Sequence, residues 1–225
     1  MLEISPGTLS YQSSAAEKAF LLEVPRLTVP PRAVLVLRGR NGCGKSTLLS
    51  AIAGRFRHIV RSGILCQWVH SDGSRTAAAN VASFCAANPL LLPGVSVREY
   101  VRFAGFCTPT RAPMGVTKAS EILRRFGIPD DRQTATPDML STGQAKRVVL
   151  ARMSGQKLPI LLLDEPSANL DEDAEQLLVS LVRSTIESGG VAIIASHEEV
   201  PEVQLTLRAV IQRTGEHRFR MSMEG

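Results

Sequence analysis

The chain has 225 residues and a formal net charge of +5. Hydrophobic residues make up 44% and charged residues 21%, a globular balance that excludes a disordered chain. Aromatics at 4% speak against a stacking surface for single-stranded nucleic acid, and no apolar run approaches the ~18 residues needed to cross a bilayer.

In chain order, Met1 to Gly7 lacks the basic start and apolar stretch of a secretory leader, so no export signal is expected. Residues 19–29 read as extended, bounded by Pro25, Pro30 and Pro31. Val34 to Leu37 is a buried strand, followed by a Gly-rich turn and a helix from Ser46 to Ala53, with Gly54 as its stop. Residues 70–80 are the most loop-like stretch. Residues 96–155 are mainly helical: Ser96 and Glu99 fit a capping box, and Gly127 stops a helix over 117–126. Ile160 to Leu163 and Val191 to Ile194 are further buried strands. Between them Asp171 can cap a helix with apolar positions at Ala174, Leu177, Leu178, Leu181, Val182 and Ile186, ended by Gly189 and Gly190. Residues 207–213 and 217–221 predict a hairpin around Thr214, Gly215 and Glu216, expected with the N-terminal strands in an antiparallel sheet beside the core. Strands alternating with helices predict an α/β core with a mainly parallel sheet. The cysteines at 43, 66, 85 and 107 form no CxxC pair, which predicts buried reduced thiols and no zinc site.

Three stretches carry chemistry. Gly39-Arg40-Asn41-Gly42-Cys43-Gly44-Lys45-Ser46 fits G-x-x-x-x-G-K-[ST] between a strand and a helix start. Its glycines let successive N–H groups turn inward around phosphate oxygens, and the helix N-terminus adds partial positive charge. Lys45 can reach the β- and γ-phosphates, Ser46 can ligate Mg²⁺, and Thr47 completes the set of ATP-binding candidates. Cys43 is read two ways, as a small packing residue or as a thiol whose pKa the neighbouring N–H groups lower. The second stretch, Ile160 to Glu165, is a buried strand ending in two carboxylates. Neighbouring strand residues face opposite ways, so Asp164 is assigned to Mg²⁺ and Glu165 to activating the attacking water. The third is Leu140-Ser141-Thr142-Gly143-Gln144, at a helix start where an anion is favoured.

Together these resemble the ATP-binding cassette (ABC) ATPases, whose signature reads LSGGQ. Ser167-Ala168-Asn169-Leu170-Asp171 resembles that family's D-loop, and Ala195-Ser196-His197 resembles its H-loop, 33 residues beyond Asp164. The motif order matches along essentially the whole chain. The resemblance implies a P-loop NTPase, RecA-like core with an antiparallel β subdomain and an ABC α-helical subdomain near 90–155, all in one domain, 1–225. It implies ATP and Mg²⁺ as cofactors, with Lys45, Glu165 and His197 as the catalytic set. It also implies that Ser141, Thr142, Gly143 and Gln144, with the D-loop residues Ser167 and Asp171, serve the ATP of an opposite cassette in a head-to-tail dimer. A homodimer, separate transmembrane subunits and a peripheral place on the cytoplasmic face of a membrane are the expected partners and location; nucleic acid is not. The apolar stretch Leu90 to Val95 is expected to receive a membrane partner's coupling helix.

Two departures stand out. Tyr11 is the candidate for the aromatic that stacks on adenine, but its spacing to the phosphate loop is some five residues longer than usual in the family, with Phe20 as a weaker substitute. The Q-loop glutamine, expected near Ala86 or Ala87, is missing, and Asn88 is the nearest amide and a possible metal ligand. His58, His70 and His217 match no motif and are read as surface residues. The run from Leu140 to Arg152 and the short tail after Gly189 are similar to haem exporter ATP-binding subunits of cytochrome c maturation. The alternatives are a soluble, non-transport ABC ATPase of the iron–sulfur assembly type and a slow nucleotide-dependent scaffold.

Overall fold

The computed structural model describes residues 1–11, 20–55, 59–89, 91–107, 112–196 and 205–224, with Tyr11 described by its backbone alone. Two compact units emerge: Met1–Phe84 with Pro159–Glu165 and Thr185–Gly225, and Cys85–Leu158 with Pro166–Ser184. The second is wider than the expected 90–155.

The first unit is built on two sheets. A four-stranded sheet takes β1 (Leu2–Ile4), β4 (Leu27–Val29), β7 (Cys66–Val69) and β8 (Arg75–Ala77), in the order β4-β1-β7-β8. A nine-stranded sheet takes β2 (Gly7–Tyr11), β3 (Phe20–Val24), β5 (Val34–Arg38), β6 (Val60–Ser62), β9 (Ala82–Cys85), β10 (Ile160–Asp164), β11 (Val191–Ala195), β12 (Thr206–Gly215) and β13 (Arg218–Met223). Its order is β6-β2-β3-β13-β12-β5-β11-β10-β9. The centre, β12, β5, β11 and β10, is parallel. Every residue of β10 and β11 is buried, as are Val34 to Leu37 of β5, because a parallel strand covered on both faces has no polar side to show. That is why these three read as unbroken apolar runs.

The core joins Leu35 and Leu37 of β5, Leu162 of β10 and Ile193 of β11 to Leu48, Leu49 and Ile52 of helix α1 (Lys45–Ile52). Each such side chain, fully buried, stabilises the fold by about 1.5–3 kcal/mol. Phe20 stacks on Phe219 at 5.4 Å, and Gly44 passes so close that a Cβ there would lie 2.5 Å from the Phe20 ring.

Two expectations need correction. The C-terminal hairpin does not stand beside the core: β12 pairs in parallel with β5, Val210 opposite Arg38, and β13 pairs in parallel with β3. The run 70–80 is not a loop throughout. Asp72 accepts bonds from the Ser74 N–H and hydroxyl, Gly73 takes φ +82°, and β8 returns along β7. Of the four thiols, Cys43, Cys66 and Cys85 are buried as expected, whereas Cys107 is exposed.

The second unit is helical. Helix α2 (Val97–Arg102) starts with the predicted capping box, Ser96 Oγ accepting from Glu99 N at 3.3 Å. A 3₁₀ stretch (Phe103–Cys107), α3 (Val116–Arg125) and α4 (Thr142–Gln156) follow, and the unit takes the first part of α5 (Glu172–Glu187). Val101, Leu123, Ile128, Val148 and Leu150 form its interior. The Arg152 guanidinium lies over the Tyr100 ring at 4.6 Å. Gly127 ends α3 at φ +73°, and Lys157 ends α4 in the left-handed region. Among the described residues no helix is long and apolar enough to cross a membrane.

Candidate functional site: a phosphate loop at the sheet edge and a capped signature helix

The phosphate loop runs from the end of β5 into α1. Gly39, Gly42 and Gly44 take φ +145°, +76° and +109°, a region closed to most side chains. A Cβ at Gly39 would lie 2.7 Å from both Cys43 Sγ and the Ile211 carbonyl oxygen, so the loop rests directly on β12. Gly44 is the N-cap of α1 and offers no capping side chain. A helix start without a capping side chain suits an anion. Lys45 is buried, 7% exposed, and donates to the Gly39 carbonyl oxygen at 2.8 Å, which draws its ammonium across the mouth of the loop. Ser46 and Thr47 open the helix behind it.

The register of the parallel strands brings the carboxylates to the same edge. Asp164 pairs with Ala195, and Ala195 with Leu37, so Asp164 ends two strands over from the phosphate loop, with β11 between, about 10 Å from Leu37 at the usual strand spacing. Asp164 is 4% exposed, and its Oδ1 is buried without a hydrogen-bond partner. A buried carboxylate oxygen is costly unless something pairs with it. Its hardness and charge suit a divalent cation. Among the described residues no three His, Cys, Asp or Glu side chains converge, so such an ion would depend on few protein ligands.

Glu165 departs from Asp164 for a reason the strand alternation did not supply. Its backbone turns to φ +44°, and its N–H donates to the Ala195 carbonyl oxygen at 2.8 Å, one step beyond the ladder. A non-glycine residue there stores roughly 1–3 kcal/mol of strain, typical of functional positions. Ser196 follows β11 and is buried; His197, the expected H-loop histidine, lies outside the described residues.

Beside the loop is a cavity of about 550 Å³ lined by Gly39, Arg40, Asn41 and Cys43 on one side and by Arg213, His217 and Phe219 of the hairpin on the other. Arg40 and Arg213 give it a basic rim. His217, unassigned by sequence, is part of this wall. Burial pushes the Cys43 thiol above its ordinary range, and Lys45 only partly opposes that, so of the two readings of Cys43 packing prevails over an activated thiol. Tyr11 ends β2, paired with Phe20.

In the second unit the signature opens α4. Ser141 Oγ accepts from Gln144 N at 3.2 Å, and Gln144 Oε1 accepts from Ser141 N at 3.1 Å. This is a second capping box, detectable in advance from Ser-x-x-Gln, and it leaves the Ser141 hydroxyl hydrogen to donate elsewhere. Thr142 and Gly143 begin the first turn. Asp171 caps α5 by accepting from Ala174 N at 3.0 Å and pairs with Arg147. The Ala174 N–H and then Arg147 hold the Asp171 carboxyl below its ordinary value of 3.8, so it stays ionised through neutral pH. Nothing in the sequence signalled that pairing. Ser167 is half-buried and Asn88 exposed. Of the apolar stretch, Leu92 is exposed, Leu91 and Val95 are half-buried, and Leu90 lies outside the described residues.

Comparison with known proteins agrees with this layout. The family described as ABC transporter matches residues 22–168, from β3 through the phosphate loop and signature into the D-loop. The cytochrome c biogenesis ATP-binding export protein CcmA of Ruegeria pomeroyi is 32% identical over 202 residues, covering 89% of this chain and 86% of that protein. The aliphatic sulfonates import ATP-binding protein SsuB 1 of Xanthomonas axonopodis pv. citri is 33% identical, covering 82% and 72%. A dimeric ATP-binding cassette solved in a post-hydrolysis state with ADP and Pi superposes with a TM-score of 0.70 at 23% identity, covering 88% of each chain. A solved ATP-binding subunit of an ABC transporter gives 0.71 at 20% identity, covering 99% and 90%. By these matches the chain belongs to the ABC transporter family as one of its ATPase cassettes.

Proposed function

We propose that this cassette hydrolyses ATP at the interface of a head-to-tail dimer and drives transport through separate membrane-spanning subunits, on the cytoplasmic face of a membrane. The observation that carries the reading is the common edge of β5, β11 and β10, which gathers a cation-lined phosphate cradle, the buried Asp164 oxygen and the Glu165 carboxylate.

The triphosphate lies along the N–H groups of residues 42–46, with Lys45 released from Gly39 to the β- and γ-oxygens. The basic cavity beside the loop, within the 300–1,000 Å³ usual for ligand pockets, has room for the remainder of the nucleotide. Tyr11 serves as the adenine-stacking residue. Ser46 and Asp164 would hold Mg²⁺, which would supply neutralisation of the phosphate charge. Asn88 is a further candidate ligand. Glu165 orients the attacking water and draws off its proton, and His197 contacts the γ-phosphate. Ser141 to Gln144, with Ser167 and Asp171, close the partner cassette's site. ATP then bridges the two subunits, and its cleavage removes the bridge.

Similarity to the CcmA proteins supports haem export in cytochrome c maturation as the physiological role. Relatives named for import share similar identity, and on this reading the choice of cargo belongs to the membrane subunits. The test is Glu165→Gln. Turnover should fall on the order of a hundredfold or more. ATP should then trap a dimer on size-exclusion chromatography. Undiminished turnover would defeat the catalytic assignment.

A further inference from the structure

The D-loop is held by the chain's own signature helix at three points, all inside the second unit. Lys146 Nζ donates to the Ala168 carbonyl oxygen at 2.7 Å. Arg147 pairs with Asp171. Gly143 lies so close beneath the turn that a Cβ would stand 2.9 Å from the Asn169 carbonyl oxygen. The three contacts grip Ala168, Asn169 and Asp171, three of the five residues of the turn.

They are not equivalent. Asp171 is largely exposed, so its ion pair is screened and easily replaced by water. The Gly143 approach permits the contact without enforcing it. Lys146 is different: its relative exposure is 0%. Lysine is almost never fully buried unless its charge is bonded. An apolar side chain of the same length would be easier to bury there. A bonded ammonium is what such burial requires, and one bond that it makes is to the middle of the D-loop.

We propose that Lys146 is a positioning residue for ATP hydrolysis, fixing the D-loop on the signature helix so that Ser167 and Ser141 to Gln144 meet a second cassette's nucleotide as one rigid piece. The proposal rests on the head-to-tail reading above. Lys146, fully buried, offers no exposed atom to a nucleotide. It acts through the Ala168 carbonyl, and its loss lets the turn shift relative to α4. A displacement of about 1 Å in such a constellation can cost on the order of a hundredfold in rate.

The test compares Lys146→Met, which keeps length and packing but has no donor, with Lys146→Arg, which restores a charged donor. Steady-state ATPase kinetics, binding of a fluorescent ATP analogue to the monomer and thermal unfolding are measured on the full chain. Lys146→Met should lower kcat about tenfold or more. Monomer affinity for the analogue should stay within about twofold, because the phosphate loop belongs to the other unit. ATP-dependent dimerisation in the Glu165→Gln background should weaken. Lys146→Arg should recover most of the kcat, and Lys146→Gln, a shorter neutral donor, should fall between and is decisive if Lys146→Met does not fold. An unchanged kcat in Lys146→Met, or a lowered one that Lys146→Arg does not recover, overturns the positioning role. A wild-type chain that neither turns over ATP nor dimerises with it would defeat the cassette reading instead, before any variant is made.

Discussion

The phosphate loop and the signature are both helix starts, yet they are held by opposite means. At the loop the main chain does the positioning: three left-handed glycines, a direct rest on the Ile211 carbonyl, and strand register that carries Asp164 to the same edge. At the signature the side chains do it: a reciprocal cap between Ser141 and Gln144, and the Lys146 and Arg147 bonds to the D-loop. The first arrangement is set by the buried sheet and fails only with it. The second is a set of separable local bonds, so its parts can be removed singly while the helix persists.

Breaking the first region should therefore cost fold as well as function. Leu162 is fully buried in β10 beneath the carboxylates, and Leu162→Ala should destabilise the chain by about 2–5 kcal/mol, read by denaturant unfolding. Gly44→Ala sharpens the point at the loop itself. Its φ of +109° and the Phe20 ring in its path should cost about 1–3 kcal/mol, with nucleotide affinity falling in a fluorescence titration. In the second region Ser141→Ala should remove only about 1 kcal/mol with the cap, a small shift in thermal midpoint, while ATP turnover falls by more than that shift implies. If Ser141→Ala instead unfolds the chain, or Gly44→Ala leaves stability and nucleotide binding intact, the contrast between the two regions is wrong.

Much of this was legible along the chain. The buried strands announced themselves as apolar runs because both faces of a parallel sheet are covered. The phosphate loop could be placed because a strand, glycines and a helix start adjoin in sequence, and the first capping box because its partners are three residues apart. The second box was equally readable from Ser141 and Gln144, since the same spacing governs it. The hairpin was found, but its place in the sheet was not, because alternation reports a strand and not its neighbour. The loop-like 70–80 hid β8, since Arg75 to Ala77 has one short partner strand among the described residues and a polar composition.

What the sequence determined by itself is the set of local devices: the glycine loop before α1, the apolar strands, the caps at Ser96 and Asp171, and through their order the family. What only the tertiary structure decided is which devices act together. The alignment of Leu37, Ala195 and Asp164 depends on strand pairing across more than a hundred residues of chain. The turn at Glu165 depends on a carbonyl from β11, and the hold of Lys146 on Ala168 spans residues with no shared local pattern. Local devices follow from torsional preference and short-range hydrogen bonding, which neighbours in sequence suffice to specify. Juxtapositions follow from burial of the whole core, which no single stretch contains.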